Sequence, residues 1–148
     1  MKTTIRPIQA DDREDWARLF RAHCRSNRSA LTDDHEARVW DWLMDSAAPF
    51  HGRLAHVDHG AAVGLVHFQD VYRPQAGALS CYLSDLFVEP AFRGSGAGRR
   101  LVEAVIETAR DRRLANVRWL THEHNYDARR LYDRFVGKSD YVLYTLPL

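Results

Sequence analysis

A run of glycines and arginines, Arg93-Gly94-Ser95-Gly96-Ala97-Gly98 followed by Arg99 and Arg100, is well suited to bind an anion. Glycines let the backbone approach a ligand closely and adopt positive φ, so that successive N–H groups can converge on it. Arg99 and Arg100 fall in the first turn of the helix predicted to follow, where the helix dipole makes a cation unfavourable by about 0.3–1 kcal/mol. A bound anion reverses that penalty. With Arg93, the two arginines predict a site for a diphosphate.

Two common nucleotide-binding loops fit this run less well. A P-loop needs a Gly-Lys-Ser/Thr sequence, which does not follow. A dinucleotide-binding G-x-G-x-x-G turn needs glycine at position 99, where the chain has Arg99, and it normally opens the domain. The remaining alternative is a glycine-rich turn whose arginines are only solvated.

Hydrophobic periodicity and turn signals predict the elements that position this loop. Strands are expected at residues 3–7, 54–57, 61–71, 79–88, 117–121 and 141–146, and helices from about residues 11, 32, 98 and 125. The hairpin at Asp58-His59-Gly60 is expected to place the glycine at positive φ. The order β-α-α-β-β-β-α-β-α-β predicts one α/β domain, residues 1–148, with a mixed, mostly antiparallel sheet flanked by about four helices.

Composition narrows the classes of function. The 148 residues carry a net charge of +1, which provides no overall field for a nucleic-acid backbone. No apolar stretch approaches the length of about 20 residues that a membrane span needs. The amino terminus lacks the apolar region of a secretory signal, which favours a cytoplasmic location. Cys24 and Cys81 lie far apart, and we expect both to be buried thiols.

The region from Tyr82 to Arg110 resembles the acetyl-CoA-binding motif of the GCN5-related N-acetyltransferases (GNAT superfamily), with Arg93, Gly96 and Gly98 placed as in its Q/R-x-x-G-x-G/A signature. The sequence Asn125-x-x-Ala128-x-x-Leu131-Tyr132 resembles the second motif of that family. Both segments are especially similar to the subgroup named for yeast histone and polyamine acetyltransferases. The resemblance implies the acyl-CoA N-acyltransferase fold, acetyl-CoA as co-substrate and transfer of an acetyl group to an amine.

The same resemblance implies which residues bind acetyl-CoA. The backbone at 86–88 would align the pantetheine arm, residues 93–98 would hold the pyrophosphate, and Asn125 would contact the pantetheine while capping a helix. The backbone N–H of Phe87 or of Val88 would donate to the thioester oxygen. The full set is Leu86, Phe87, Val88, Arg93, Gly94, Ser95, Gly96, Ala97, Gly98, Arg99 and Asn125.

Direct transfer also needs an acid for the departing thiolate and a base for the amine. Tyr132 matches the tyrosine of the family and is the expected acid, although its helical spacing also suits a core residue. For the base we favour Asp85 over Glu123 or His122, with a structural hydrogen-bonding role for Asp85 as the alternative. His122 and His124 share a strand face without a third ligand nearby in the sequence, so no metal site is expected.

Only the distribution of charge along the chain predicts the class of acceptor. Residues 11–45 hold nine acids against six arginines, and residues 93–113 hold six arginines against three acids. In this family the first two helices usually wall the acceptor side, so an acidic wall would attract a cationic small molecule or a lysine side chain. The alternative is that these acids only complement helix N-termini and solvate a face. Other possibilities are an acyl-CoA sensor without chemistry, a protein or histone-like lysine acetyltransferase, and a homodimer.

Overall fold

The computed structural model describes all residues, 1–148, and consists of one five-stranded sheet with four α-helices. The strands are β1 (Thr3–Pro7), β2 (Phe50–Val57), β3 (Ala62–Arg73), β4 (Ala78–Val88) and β5 (Val117–Trp119). The helices are α1 (Arg13–Ser26), α2 (Asp33–Met44), α3 (Ala97–Asp111) and α4 (Tyr126–Tyr132). The strands lie in the order β1-β2-β3-β4-β5. Neighbours are antiparallel except for β4 and β5, which are parallel, so the predicted mixed sheet is confirmed.

The sheet separates two hydrophobic clusters. On one face, Leu101 and Val105 of α3 pack with Val66 and Phe68 of β3. The other face packs against α1 and α2, and its cluster includes Trp16, Phe20, Trp40, Leu54 and Leu65. Because both faces are covered, β3 is buried over most of its length rather than alternating between buried and exposed residues. The site described below therefore stands on a rigid strand pair.

Local sequence signals place the helix ends. The Thr32 hydroxyl accepts a hydrogen bond from the N–H of His35 at 3.1 Å, and the Asn125 side chain accepts one from Ala128 at 3.3 Å. Both are N-cap bonds that satisfy a helix N–H group without an intrahelical partner. Cys24 and Cys81 are both buried free thiols, as expected.

The hairpin between β2 and β3 differs from expectation in its glycine. Asp58 and His59 take positive φ, at 50° and 59°, and Gly60 does not. Aspartate tolerates this conformation better than most residues, and here the Asp58 carboxylate also accepts a hydrogen bond from the backbone of Lys2 at 2.8 Å. The turn thus lies one residue earlier than predicted.

The strand predicted at residues 141–146 does not form. This segment has no regular structure, and its apolar side chains are exposed, among them Tyr144 at 91% and Leu146 at 83%. Alternating apolar residues form a strand only where a neighbouring strand offers paired N–H and C=O groups. The nearest edge, β5, is three residues long. Tyr141 instead lies under the guanidinium of Arg118, 5.4 Å from the ring centroid.

Candidate active site

A β-bulge at Ser84 separates β4 from β5. Along the β3–β4 pair, Asp85 lies opposite His67 and Leu83 lies opposite Phe68, so Ser84 is an extra residue on β4. The pairing of β4 with β5 ends at the same place, where Leu83 lies opposite Trp119. A bulge bends the strand that contains it. Beyond the bulge, residues 85–88 have no neighbour on the β5 side, which leaves an open strand edge inside the molecule.

The direction of the backbone groups along this edge can be worked out from one hydrogen bond. The Glu89 N–H donates to the Val63 C=O at 2.9 Å, so Glu89 faces β3. Because alternate residues of a strand point to the same side, Phe87 also faces β3, and Leu86 and Val88 face the open edge. The Val88 C=O accepts from Arg93 Nε at 3.1 Å. Of the two N–H groups expected to meet a thioester oxygen, only that of Val88 faces the gap.

The glycine loop leads directly from this edge into α3. Gly94 and Gly96 have φ of 81° and 90°, a region that other residues rarely adopt. No backbone carbonyl accepts from the N–H groups of Gly94, Gly96, Gly98 or Arg99, and the Ala97 N–H meets only the Ser95 hydroxyl, at 3.4 Å. The space that a Cβ would occupy at Gly94 and Gly96 is empty to 4 Å. The loop is therefore an open cradle of unpaired donors.

The arginines of this loop have partners that leave the cradle open. Arg99 Nε donates to Glu103 Oε1 at 2.8 Å, one turn further along α3, so the carboxylate balances the charge without capping the N-terminus of the helix. The Arg93 guanidinium lies 6.0 Å from the Phe87 ring centroid. Arg99 remains 58% exposed and can turn toward a ligand. The cradle and its arginines together suit a diphosphate.

Tyr132 lies at the end of α4, beside the opening between β4 and β5. Its ring packs edge-on against Trp119, the last residue of β5 to pair with β4, with 5.5 Å between ring centroids. Gly98 of α3 brings α4 close to β4, because a Cβ there would lie 3.4 Å from Leu131 and 3.7 Å from Val88. Burial raises the pKa of the Tyr132 phenol, so the group is protonated at neutral pH and can donate a proton.

Asp85 and two histidines meet on the opposite face of β4, which packs on α1. His67 Nδ1 lies 3.0 Å from Asp85 Oδ2, and His23 Nε2 lies 3.0 Å from Asp85 Oδ1. Burial alone would raise the pKa of the Asp85 carboxyl, but the two histidine hydrogen bonds outweigh it and hold that pKa well below its usual range. Asp85 is thus a hydrogen-bond acceptor with little tendency to take a proton.

Sequence reasoning did not single out His23 or His67 as site residues. His23 continues the apolar face of α1 begun by Trp16, and His67 lies inside an apolar strand, so each has the pattern of a core residue. A polar side chain at a core position is the one signal that points to them, because such a group needs a buried partner. The partner, Asp85, is distant in sequence.

The other sequence candidates lie apart from this cluster. His122, Glu123 and His124 follow β5 and are exposed, with the two imidazole rings stacked at 5.4 Å between centroids. Among the acids of residues 11–45, Asp12 pairs with Arg6 at 2.6 Å and Glu36 pairs with Arg21 at 2.6 Å. Asp15 pairs with Arg18 at 3.2 Å. Part of the acidic charge of residues 11–45 is thus neutralised within the fold.

Comparison with known proteins identifies the family. The model of the acetyltransferase (GNAT) family matches residues 16–137. The chain belongs to the GNAT family of acetyltransferases. An uncharacterised N-acetyltransferase of Archaeoglobus fulgidus is 33% identical over 137 residues, covering 86% of this chain and 88% of that protein. A D-amino-acid N-acetyltransferase of Saccharomyces cerevisiae is 26% identical over 144 residues, covering 97% of this chain and 89% of that protein.

Solved structures of acetyltransferases share the fold of this GNAT chain. An aminoglycoside N-acetyltransferase in complex with CoA superposes with a TM-score of 0.84 at 18% identity, covering 99% of this chain and 95% of that one. A ribosomal-protein-alanine N-acetyltransferase of Brucella melitensis gives a TM-score of 0.82 at 20% identity over the full length of both chains.

The acetyltransferase uses acetyl-CoA, and its residues fit that molecule. The unpaired N–H groups of the loop suit the diphosphate, and the open edge at Leu86 and Val88 suits a pantetheine amide chain. The expected subgroup, that of histone and polyamine acetyltransferases, is not confirmed by the comparisons. No helix of the acetyltransferase has the length and hydropathy of a membrane span.

Proposed function

We propose that this acetyltransferase transfers the acetyl group directly to the amine of a cationic small molecule or of a lysine side chain. Three features of the structure support the proposal. They are the open edge of β4 after Ser84, the unpaired N–H groups at the start of α3, and the Tyr132 hydroxyl at the end of α4. Direct transfer needs no nucleophilic side chain. Both cysteines are buried, and burial raises the pKa of each thiol, so neither forms the reactive thiolate at neutral pH.

The proposal assigns a task to each group that lines the opening. Acetyl-CoA, when bound, supplies the acetyl group as a thioester. Residues 93–98 and Arg99 hold the diphosphate, Leu86 and Val88 align the pantetheine arm, and Asn125 contacts it from the start of α4. The Val88 N–H donates to the thioester oxygen, where negative charge develops. The Tyr132 hydroxyl donates its proton to the departing sulfur.

The proposed acceptor class rests on acids in the first two helices, or just before α1, that remain unpaired and exposed, such as Asp11, Glu14 and Asp34. A field of this sign attracts an ammonium group within about 8 Å in physiological salt. An amino acid is a second candidate. Arg25, which makes no ion pair, lines a pocket of about 270 Å³ between α1 and α2 together with Asp33, and this mixed charge suits a zwitterion. The yeast relative is a D-amino-acid N-acetyltransferase, which favours the same candidate.

The test is release of CoA thiol from acetyl-CoA over a panel of acceptors. The panel contains polyamines, aminoglycosides, basic peptides, and D- and L-amino acids, each at equal concentration. We expect the highest kcat/KM on small cationic amines. Highest activity on amino acids would select the second candidate. Tight CoA binding without turnover on any acceptor would favour an acyl-CoA sensor and overturn the proposal.

We also propose that the acetyltransferase is a homodimer. The support is the exposed apolar segment that ends the chain, with Tyr141, Val142, Leu143 and Tyr144 each at least 67% exposed. A patch of this kind is unusual on a monomer and is commonly covered by a second protein surface. Light scattering should give a mass of twice 17.1 kDa for the whole chain. A mass of 17.1 kDa at micromolar concentration would contradict the proposal.

A further inference from the structure

Four side chains form a continuous polar path through the core on the α1 side of the sheet. It begins at Trp16, whose Nε1 donates to His67 Nε2 at 2.9 Å. It continues from His67 to Asp85 and from Asp85 to His23, with 3.0 Å at each step. Trp16 and His67 are fully buried, whereas the side chains of His23 and Asp85 are 12% and 29% exposed. The path therefore has a closed end and an end that reaches the surface.

The proton positions at the closed end follow from the chemistry of indole. An indole N–H donates and cannot accept, so His67 Nε2 must present its lone pair to Trp16. His67 then carries its proton on Nδ1 and donates it to Asp85. Both ring nitrogens are occupied, and a second proton would have to break the bond from Trp16. His67 is thus held in the Nδ1–H tautomer and orients Asp85.

At the open end of the path, by contrast, one ring nitrogen of the histidine is free. Asp85 is ionised, so the nearest His23 nitrogen, Nε2, must carry a proton to avoid placing a lone pair against a carboxylate. Asn27 Nδ2 lies 3.3 Å from this same nitrogen, but an amide NH2 group only donates and makes no hydrogen bond to a protonated Nε2, so the shorter contact with the Asp85 carboxylate sets the proton position. His23 Nδ1 makes no hydrogen bond with the chain and holds a free lone pair. Asp85 therefore fixes His23 in the form that has one basic nitrogen available.

His23 lies close to the place where the thioester is expected. Its ring packs edge-on against Phe87, with 5.9 Å between ring centroids. Phe87 stands between Leu86 and Val88, the two residues whose backbone groups face the open edge. The His23 imidazole thus packs on the residue next to Val88, whose N–H is proposed to meet the thioester oxygen. It lies on the face of β4 that packs against α1. The first two helices, which carry the acids proposed to attract the acceptor, lie on that same face.

We propose that His23 is the general base that takes the proton of the acceptor ammonium at Nδ1, and that Asp85 and His67 are positioning residues for it. This inference rests on the proposed function, direct transfer to an amine that is protonated in solution. The nitrogen freed of its proton forms the bond to the acetyl carbon as the carbon–sulfur bond breaks. Sulfur receives the Tyr132 proton, and the excess proton on the new amide nitrogen restores the phenol through solvent. His23 releases its own proton to water, so one proton is lost per turnover.

Other titratable groups near His23 are accounted for. From α1, Cys24 lies beside it, and burial together with the carboxylates of Asp85 and Glu36 raises the pKa of that thiol. From α2, Glu36 is paired with Arg21. From β3 and β4 the facing groups are His67, Asp85 and Tyr82, and burial together with the Asp85 carboxylate raises the pKa of the Tyr82 phenol. His23 is the one group of this set with an unpaired basic nitrogen.

The kinetic test compares His23→Gln with Asn27→Ala, which alters the surroundings of the same ring without removing a base. We expect His23→Gln to lower kcat/KM by about 10²-fold or more for a strongly basic amine at neutral pH. The limb of the pH profile between about pH 5 and 8, where histidine titrates, should disappear. The loss should be much smaller for an acceptor of low basicity that is already neutral. Equal losses for both acceptors, or an unchanged pH profile, would overturn the assignment. Asn27→Ala should keep the limb.

A second measurement needs no turnover. Nitrogen NMR of the imidazole rings at neutral pH should show His67 as the Nδ1–H tautomer and His23 as the Nε2–H tautomer. Asp85→Asn should disturb the His23 form and leave CoA binding unchanged. A neutral His23 protonated on Nδ1 would overturn the proposal even if the wild-type chain acetylates amines. Failure of every acceptor would contradict the proposed function, whereas the NMR result would still decide the state of His23.

Discussion

The groups that face the opening from residues 86–99, called here the loop side, are mostly backbone N–H groups that lie close together in the sequence. The histidine side, made of Trp16, His23, His67 and Asp85, consists of side chains from one helix and two strands. A diphosphate has the same charge and shape in every reaction, so backbone donors at a helix start are enough to bind it. An amine must lose a proton before it reacts, which needs a titratable side chain in a defined state.

The two sides should therefore respond to mutation in different parameters. Changes on the loop side should affect CoA affinity, and changes on the histidine side should affect the rate and its pH dependence. Tyr132 belongs to neither set, because it lies across the opening on α4 and is proposed to touch the departing sulfur. It provides the largest expected effect.

Removing the Tyr132 hydroxyl should lower kcat by about 10²-fold or more, since a general acid contributes roughly that much. CoA affinity should be unchanged in Tyr132→Phe, because the ring and its packing on Trp119 remain. Because burial raises the pKa of the phenol, the wild-type acid should remain active at neutral pH and fail only in the alkaline range. Stopped-flow rates and calorimetry on the same preparation separate the two parameters. Full turnover by Tyr132→Phe would remove this residue from the acid role.

Replacing Gly96 by valine should weaken CoA binding by roughly tenfold or more, because the side chain would fill the space where the diphosphate approaches the N–H groups. The positive φ of 90° adds strain of its own. Gly77, in the turn before β4, offers a matched control, since it also has positive φ, at 58°, and a Cβ added there would meet nothing within 4 Å. Gly77→Val should lose similar stability and keep CoA affinity, as read by calorimetry. Equal affinity in both variants would contradict the loop assignment.

The smallest expected effect concerns stability and pH on the histidine side. The folded-state pKa of Asp85 is lowered, so its hydrogen bonds stabilise the fold above about pH 4 and are lost as the pH falls further. Asp85→Asn should cost on the order of 1–3 kcal/mol of unfolding free energy at pH 7, and less in acid.

Urea unfolding at several pH values measures this difference. The control is Asp127→Asn, which removes an exposed carboxylate paired with Arg130 and should change little at any pH. A cost for Asp85→Asn that stays constant from pH 7 down to pH 3 would show that the effect is not electrostatic. The contrast between the backbone groups of the loop side and the titratable groups of the histidine side would then not hold.

Much of the loop side could be predicted from the sequence because its signals are local. The glycines, the arginines after them and the Asn125 cap act within a few residues of their own position, and the structure places them where the pattern indicated. The bulge at Ser84 could not be predicted. It depends on how β4 pairs with two neighbours at once, and it decides which backbone groups face the opening.

Most of the histidine side could not be predicted from the sequence, for a related reason. His23 and Asp85 are separated by 62 positions, and His67 and Asp85 by 18, so no spacing rule connects them. Asp85 was favoured as the base because a carboxylate on a central strand can take a proton. In the folded chain two histidines donate to it, and its basicity is low. The strand predicted at 141–146 failed similarly, since alternation supplies an apolar face but no partner edge.

The sequence alone determined the order of most elements, the glycine loop with its unpaired N–H groups and the family, because each rests on residues that interact with near neighbours along the chain. The tertiary structure decided where β4 leaves β5, which N–H group faces the gap and which nitrogen of which histidine is free. These depend on strand register and on contacts between distant segments, where a shift of one residue turns a side chain to the other face of the sheet.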